Sequence, residues 1–172
     1  TAKLCAEHNL EYKDIDRIEA VVNWFETEYP SPAFPTPGSD GKPRVRSTQY
    51  FTAYGAVERG YPLLRASVPG ANETDPPAVL DLMHRVTLIP MVRRTLFGPR
   101  ITVFTKDGKS YTREGTGREF IWDFEELTRR IQPVTPGLAI SAAQYSKLVD
   151  ACRHLERVDK ATDKLISLTI PA

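Results

Sequence analysis

The sequence predicts an α+β fold: a small, mostly antiparallel sheet with helices on one face, followed by C-terminal helices. Three observations carry this. An apolar residue recurs at every second position over 14–25, a β-branched and aromatic hairpin surrounds Asp107-Gly108, and capped segments of helical periodicity lie between and after these strands.

The opening "TAKLCAEHNL" reads as the end of a helix already under way, with Leu4 and Ala6 on one face and His8-Asn9 as its C-terminus. Because the chain starts at Thr1 in what looks like mid-helix, it is expected to be a fragment or one subunit of something larger. "DIDRIEAVVNWF" (14–25) sets Ile18, Ala20, Val22 and Trp24 on one side and Arg17, Glu19, Val21 and Asn23 on the other, the period of a strand. Residues 26–45 hold five prolines and two glycines, which predicts a long loop and excludes helix and central strand. Long loops in compact domains are often functional.

Ser47 or Thr48 then caps a helix that runs to about Arg59 and stops at Gly60 and Pro62. "TDPPAVLDLMHRV" (74–86) offers Thr74 or Asp75 as the next cap, prolines in the first turn, and Val79, Leu82, Met83 and Val86 at helical spacing. "RITVFTKDGKSYTREG" (100–115) reads as a β-hairpin, Asp-Gly being a preferred dipeptide of tight primed turns. "WDFEELTRRI" starts a helix at Asp123, acidic in its first turn and basic in its last. Residues 141–158 read as one long amphipathic helix with Tyr145, Leu148, Val149, Cys152 and Leu155 on its apolar side, and a short helix closes the chain. An apolar side of that size is expected to find a partner, so the chain is expected to be oligomeric. The division predicted is an α+β domain over 1–131 and a helical return segment over 132–172.

Composition sets the bounds. With 41% hydrophobic and 26% charged residues and a formal net charge of +1, the chain has the make-up of a globular protein, with no charge bias toward nucleic acid or a membrane surface. No apolar run approaches the ~18 residues of a membrane span, and no signal peptide is evident. Cys5 and Cys152, far apart and without metal-type spacing, read as reduced thiols of a cytoplasmic protein.

The chemistry-bearing residues are few. His8, His84 and His154 are scattered, none at ligand spacing from another His or a Cys, so no metal site is expected, and the last two suit solvent-facing or capping places on helices. "GTG" at 115–117 reads as turn chemistry. Arg44 and Arg46 precede a helix start, where amide groups and guanidinium groups together would hold a carboxylate; the plainer reading is that they are solvated loop residues. "MVRRTLFGPR" (91–100) is a second cationic cluster, with solvation again the plain reading. Tyr50 and Tyr54, one turn apart, either pack a core or look into a site.

Taken in order, these segments resemble the C-terminal part of the MmgE/PrpD family, which includes 2-methylcitrate dehydratase, cis-aconitate decarboxylase and iminodisuccinate epimerase. "DIDRIEAVV" is similar to the segment leading into the family's first lid strand, and "RSTQYFTAYGAVERG" to its helix signature, a Ser three residues before a Tyr, then small residues and a Gly. "DPPAVLDLMHRVTL" resembles its Asp-Pro-x-Val helix and following strand, "ITVFTKDGKSYT" its lid hairpin, and "DFEELTRRI" the helix that in the family ends in Lys-Phe, here Arg130-Ile131.

The resemblance implies an α+β lid and returning helices of a lyase or isomerase that acts, without a cofactor, on a small di- or tricarboxylate. It also implies a partner, a helical catalytic domain upstream or on a separate subunit, which carries most of the catalytic groups. By position Tyr50 would face the cleft as a donor to substrate, with Arg44, Arg46 and Ser47 as substrate-binding groups, while Tyr54 falls where the family has a small residue and reads as packing. Such reactions build negative charge beside a carboxylate, which cationic and hydroxyl donors stabilise. The alternative is a non-catalytic, lid-like binding or assembly module.

Overall fold

The computed structural model describes residues 1–28, 41–60, 75–119 and 121–171. These fall into two compact units, one holding the described residues up to 121 and the other those from 122 onward.

The first unit is built on β1 (Ile15–Asn23), a central strand that pairs parallel with β2 (Val86–Met91) and antiparallel with β3 (Arg100–Thr105). β3 pairs antiparallel with β4 (Ser110–Glu114), giving the order β2-β1-β3-β4. The fold is thus α+β with a mostly antiparallel sheet. Between β1 and β2 the chain carries α2 (Phe25–Glu28), α3 (Thr48–Glu58) and α4 (Pro77–Met83), while α1 (Ala2–Glu7) precedes β1.

One face of the sheet makes the core. Ile18, Ala20 and Val22 of β1 with Ile101 and Val103 of β3 are buried against Leu4 and Cys5 of α1, Ala53 and Ala56 of α3, and Val79, Leu82 and Met83 of α4. A bulge at Asp16 brings Ile15 onto the same face, so that it pairs with Thr105 two positions beyond the Ile18–Val103 pair. The small residues of α3 let it approach α1: a Cβ at Gly55 would lie 3.4 Å from the Ala2 amide nitrogen.

Several expectations are corrected by this packing. Trp24 does not continue the inner face; β1 ends at Asn23, and Trp24 is 44% exposed. Val21, assigned to the outer face, is buried, because a central strand has Ile89 of β2 and Arg100 of β3 flanking it in register. In α1 the buried neighbour of Leu4 is Cys5, and Ala6 is exposed, whereas His8 caps the helix and Asn9 takes the left-handed conformation that ends it. Residues 25–28 form a helical turn within the expected loop, held where Thr27 donates to the Trp24 carbonyl and the Glu26 carboxylate accepts from the Phe97 amide at 3.0 Å. Residues 29–40, most of the proline-rich stretch, lie outside the described residues, as does Thr74. The cap of α4 is Pro76, with no side-chain bond.

The hairpin has a three-residue loop. Thr105 N–H donates to the Lys109 carbonyl, Gly108 N–H to the Thr105 carbonyl, and Gly108 at φ +85° supplies the left-handed residue. Asp-Gly therefore serves a type I turn with a bulge rather than a two-residue primed turn. Asp107 accepts from the Lys109 ammonium at 2.6 Å and from the Thr105 hydroxyl, which holds its carboxyl down at about 2. At "GTG" the chain bends at Gly117, which has φ +77° and where a Cβ would come within 2.7 Å of the Leu96 carbonyl oxygen.

A polar strut joins α4 to the start of β1. The Asp81 carboxylate accepts from the Tyr12 hydroxyl at 2.6 Å and from Arg85 at 2.7 Å, and Arg85 also donates to the Ile15 and Asp16 carbonyls. The Tyr12 bond first, and Arg85 second, pull the Asp81 carboxyl below its ordinary value. A carboxyl with a depressed folded-state pKa stabilises above its unfolded value and loses that contribution as pH falls through the folded one. Asp81→Asn is therefore expected to cost about 1 kcal/mol at neutral pH, a figure that allows for the group's exposure. The difference from wild type should fade in denaturant titrations run below the usual aspartate range.

The second unit is helical: α5 (Phe124–Ile131), α6 (Ala142–Arg153) and α7 (Ala161–Thr169). Asp123 caps α5 by accepting from the Glu126 amide at 2.8 Å, and Ser141 caps α6 in a reciprocal box with Gln144. Glu125 of α5 takes both guanidinium nitrogens of Arg153 at 2.6 and 2.7 Å, and Gln144 reaches the Ile170 carbonyl at the end of α7. The expected long helix ends at Arg153, after which His154 leaves the helical region and Leu155–Arg157 makes one tight turn. Its buried residue is Ala151; Tyr145, Leu148 and Val149 are half-buried, and Cys152 and Leu155 are exposed.

Candidate functional site

The start of α3 gathers the residues singled out above. The Ser47 amide donates to the Arg44 carbonyl, which closes a tight turn, and Arg46 within it sits at φ +69°. Ser47 then takes an extended conformation, and its hydroxyl accepts from the Tyr50 amide at 3.1 Å, a regular N-cap. Ser47 is buried, whereas Arg44 and Arg46 are exposed just ahead of the cap.

Tyr50 combines both roles weighed for it. Its ring is 2% exposed within the core, 5.9 Å from the Tyr54 ring, and its hydroxyl leaves the core to donate to Asp75 Oδ1 at 2.6 Å. Burial first, then the bond to Asp75 and that residue's negative charge, push the phenol well above its ordinary value of 10.0; Arg46 acts in the opposite direction. The phenol is therefore protonated throughout the physiological range. It can donate a hydrogen bond to developing negative charge, and it cannot act as a resting base. Tyr54, half-buried against the same cluster, packs.

The structure thus brings Asp75 and Arg46 each within electrostatic reach of the Tyr50 phenol, with Ser47 capping the helix that carries it. Asp75 is the residue that sequence reasoning treated as a cap and misplaced. A signal for it exists. Pro76 and Pro77 have no N–H, which leaves Ala78 as the one nearby amide a capping Asp75 could reach; α4 starts instead from Pro76 with no side-chain cap, and the Asp75 carboxylate accepts from the Tyr50 hydroxyl.

The remaining candidates lie elsewhere. His8 stacks on Tyr111 with ring centroids 4.3 Å apart, and His84 and His154 occupy the C-caps of α4 and α6. In the second cationic cluster Arg94 is partnered: it donates to the Gly98 carbonyl at 2.6 Å and pairs with Glu114. Among the described residues no group of three or more His, Cys, Asp or Glu side chains is arranged to hold a metal ion, and no helix is long and apolar enough to cross a membrane. No protein-family model and no curated protein matches the chain.

Proposed function

We propose that this chain is the lid part of an MmgE/PrpD-type lyase or isomerase acting on a small di- or tricarboxylate, and that the start of α3 is where the lid meets its substrate. The observation that carries this reading is the Tyr50–Asp75 bond: a protonated phenol held at a helix start within reach of the Arg46 charge. The reading also draws on the formation of a helix over the Ser-x-x-Tyr segment, a helix and strand after Asp-Pro-Pro, and the hairpin.

In this reading the Tyr50 hydroxyl exchanges Asp75 for a substrate oxygen and donates to it as negative charge builds there. Arg46 and the positive end of the α3 backbone dipole offset the charge brought in beside Asp75. Arg44 adds long-range attraction for an anionic substrate, and Ser47 keeps the turn in shape. Proton abstraction falls to groups outside the 172 residues. The burial of the Tyr50 ring favours a second reading, in which the same bond only ties α3 to α4 in a non-catalytic assembly module.

The test compares two proteins on cis-aconitate, 2-methylcitrate and iminodisuccinate: the product of the complete gene and the 172-residue chain alone. The complete product is expected to turn over one of these acids and the isolated chain none. Turnover by the isolated chain, or a complete product inert on all three, would overturn the assignment.

A further inference from the structure

We propose that β4 is a dimerisation edge: two copies of this chain pair their β4 strands antiparallel about a two-fold axis at Thr112, joining two four-stranded sheets into one. This goes beyond the proposed activity and does not depend on it.

The two edges of the sheet are treated differently by the sequence. β2 carries Pro90, which has no N–H to offer another strand. β4 has no proline and no lysine, and its pairing with β3 runs without a register shift from Ser110 to Glu114. Of the usual protections of an edge, β4 has neither a proline nor a bulge, and its two charged residues, Arg113 and Glu114, are taken up by Glu7 and Arg94. Four of its five residues are exposed and Tyr111 is half-buried.

The hydrogen-bond pattern fixes which groups the edge presents. Thr105 N–H reaches the Lys109 carbonyl and Gly115 N–H the Pro99 carbonyl. Bonding alternates along an antiparallel pair, so Tyr111 and Arg113 face β3, and the N–H and C=O groups of Ser110, Thr112 and Glu114 point away from it. Among the described residues no strand pairs with them.

This edge is complementary to itself in one register. With Thr112 opposite Thr112 of a second copy, Ser110 meets Glu114 and each of the three outward residues gives and takes a backbone bond. On one face the two Thr112 side chains extend a row in which Thr112 already bonds Thr102 at 2.9 Å. On the other, Arg113 lies opposite Tyr111 of the second copy, a cation beside an aromatic ring. The charges at the edge are already neutralised within each chain, Arg113 by Glu7 and Glu114 by Arg94. A slide of two residues in either direction leaves one outward residue of each strand unpaired, and in one direction it sets Arg113 against Arg113. Thr112 is therefore the centre that the sequence selects.

So short an edge makes a small interface, of the weak and transient class. Sedimentation of the 172-residue chain from micromolar to millimolar concentration should show a reversible monomer–dimer equilibrium. Amide exchange at Ser110, Thr112 and Glu114 should slow as concentration rises, while Tyr111 and Arg113, already bonded to β3, stay unchanged. Thr112→Lys, which sets two like charges on the axis at an exposed position, should weaken dimerisation at least tenfold, and Thr112→Pro should abolish it. If Thr112→Pro fails to fold, the lysine variant and the exchange data decide. A chain monomeric at every concentration would overturn the proposal. So would a dimer that survives Thr112→Lys with exchange at the three outward amides independent of concentration.

Discussion

Ile18→Ala is expected to destabilise the first unit by about 2–5 kcal/mol, the range for deleting a buried aliphatic side chain whose surroundings cannot collapse. The upper half of that range applies. Ile18 is fully buried, lies in register between Val86 of β2 and Val103 of β3, and has the α4 residues Val79 and Leu82 in the same core cluster. A fixed sheet on both sides leaves little room for relaxation, so most of the deleted volume remains as a cavity. Since a domain's whole stability is about 5–15 kcal/mol, the variant should approach the limit of folding at physiological temperature. Denaturant unfolding of Ile18→Ala, with Thr87→Ala at an exposed position of β2 as control, measures this; the control should stay within about 0.5 kcal/mol of wild type. A loss below about 1 kcal/mol for Ile18→Ala would mean that the sheet and helices do not close over this residue as described.

The second large effect is kinetic. If the start of α3 meets substrate as proposed, Tyr50→Phe in the product of the complete gene is expected to lower kcat/KM by roughly ten- to a thousandfold, or about 1.4–4 kcal/mol of transition-state stabilisation. The ring keeps its place in the core, and the stability cost should be about 1 kcal/mol, the net worth of one hydrogen bond. Tyr54→Phe, one turn further along and packed against the same cluster, should be kinetically silent. The pH dependence separates the two contributions. Folding raises the phenol's pKa, so its share of stability is complete below the ordinary value of 10.0 and is lost as pH climbs through the folded value. Wild type and Tyr50→Phe should therefore converge in stability in strong alkali, while the activity difference is already present at neutral pH. Equal and small kinetic effects from the two substitutions would return Tyr50 to a packing role.

What was legible in the sequence follows the range of the interaction. Ser47, Asp123 and Ser141 cap helices through bonds that reach three residues ahead, and each is readable from neighbours alone. The hairpin around Gly108 is equally local. Val21 and Trp24 were misassigned because strand periodicity gives alternation but not which neighbours flank a strand, and β1 turned out central with its end exposed. Asp75 was missed for a related reason. Its partner lies 25 residues earlier, and pattern reasoning looked for a donor in its own helix. The exposed side of α6 shows the same limit: helical spacing names an apolar side without saying what, if anything, covers it.

The parallel seam between β1 and β2 bears on the order in which this chain can fold. β3 and β4 are joined by a tight turn and can meet as soon as both are made. β2 reaches β1 only after the chain between them, with α3 and α4, has been brought back across the sheet. Closing so long a loop costs entropy before any contact repays it, and the pairing of Ile18 with Val103 closes a longer one still. Both seams of β1 therefore wait on distant parts of the chain, and the hairpin is the one pairing of the sheet that closes locally. A protease acting on transiently opened molecules would accordingly cut beside Val86–Met91 sooner than within the hairpin.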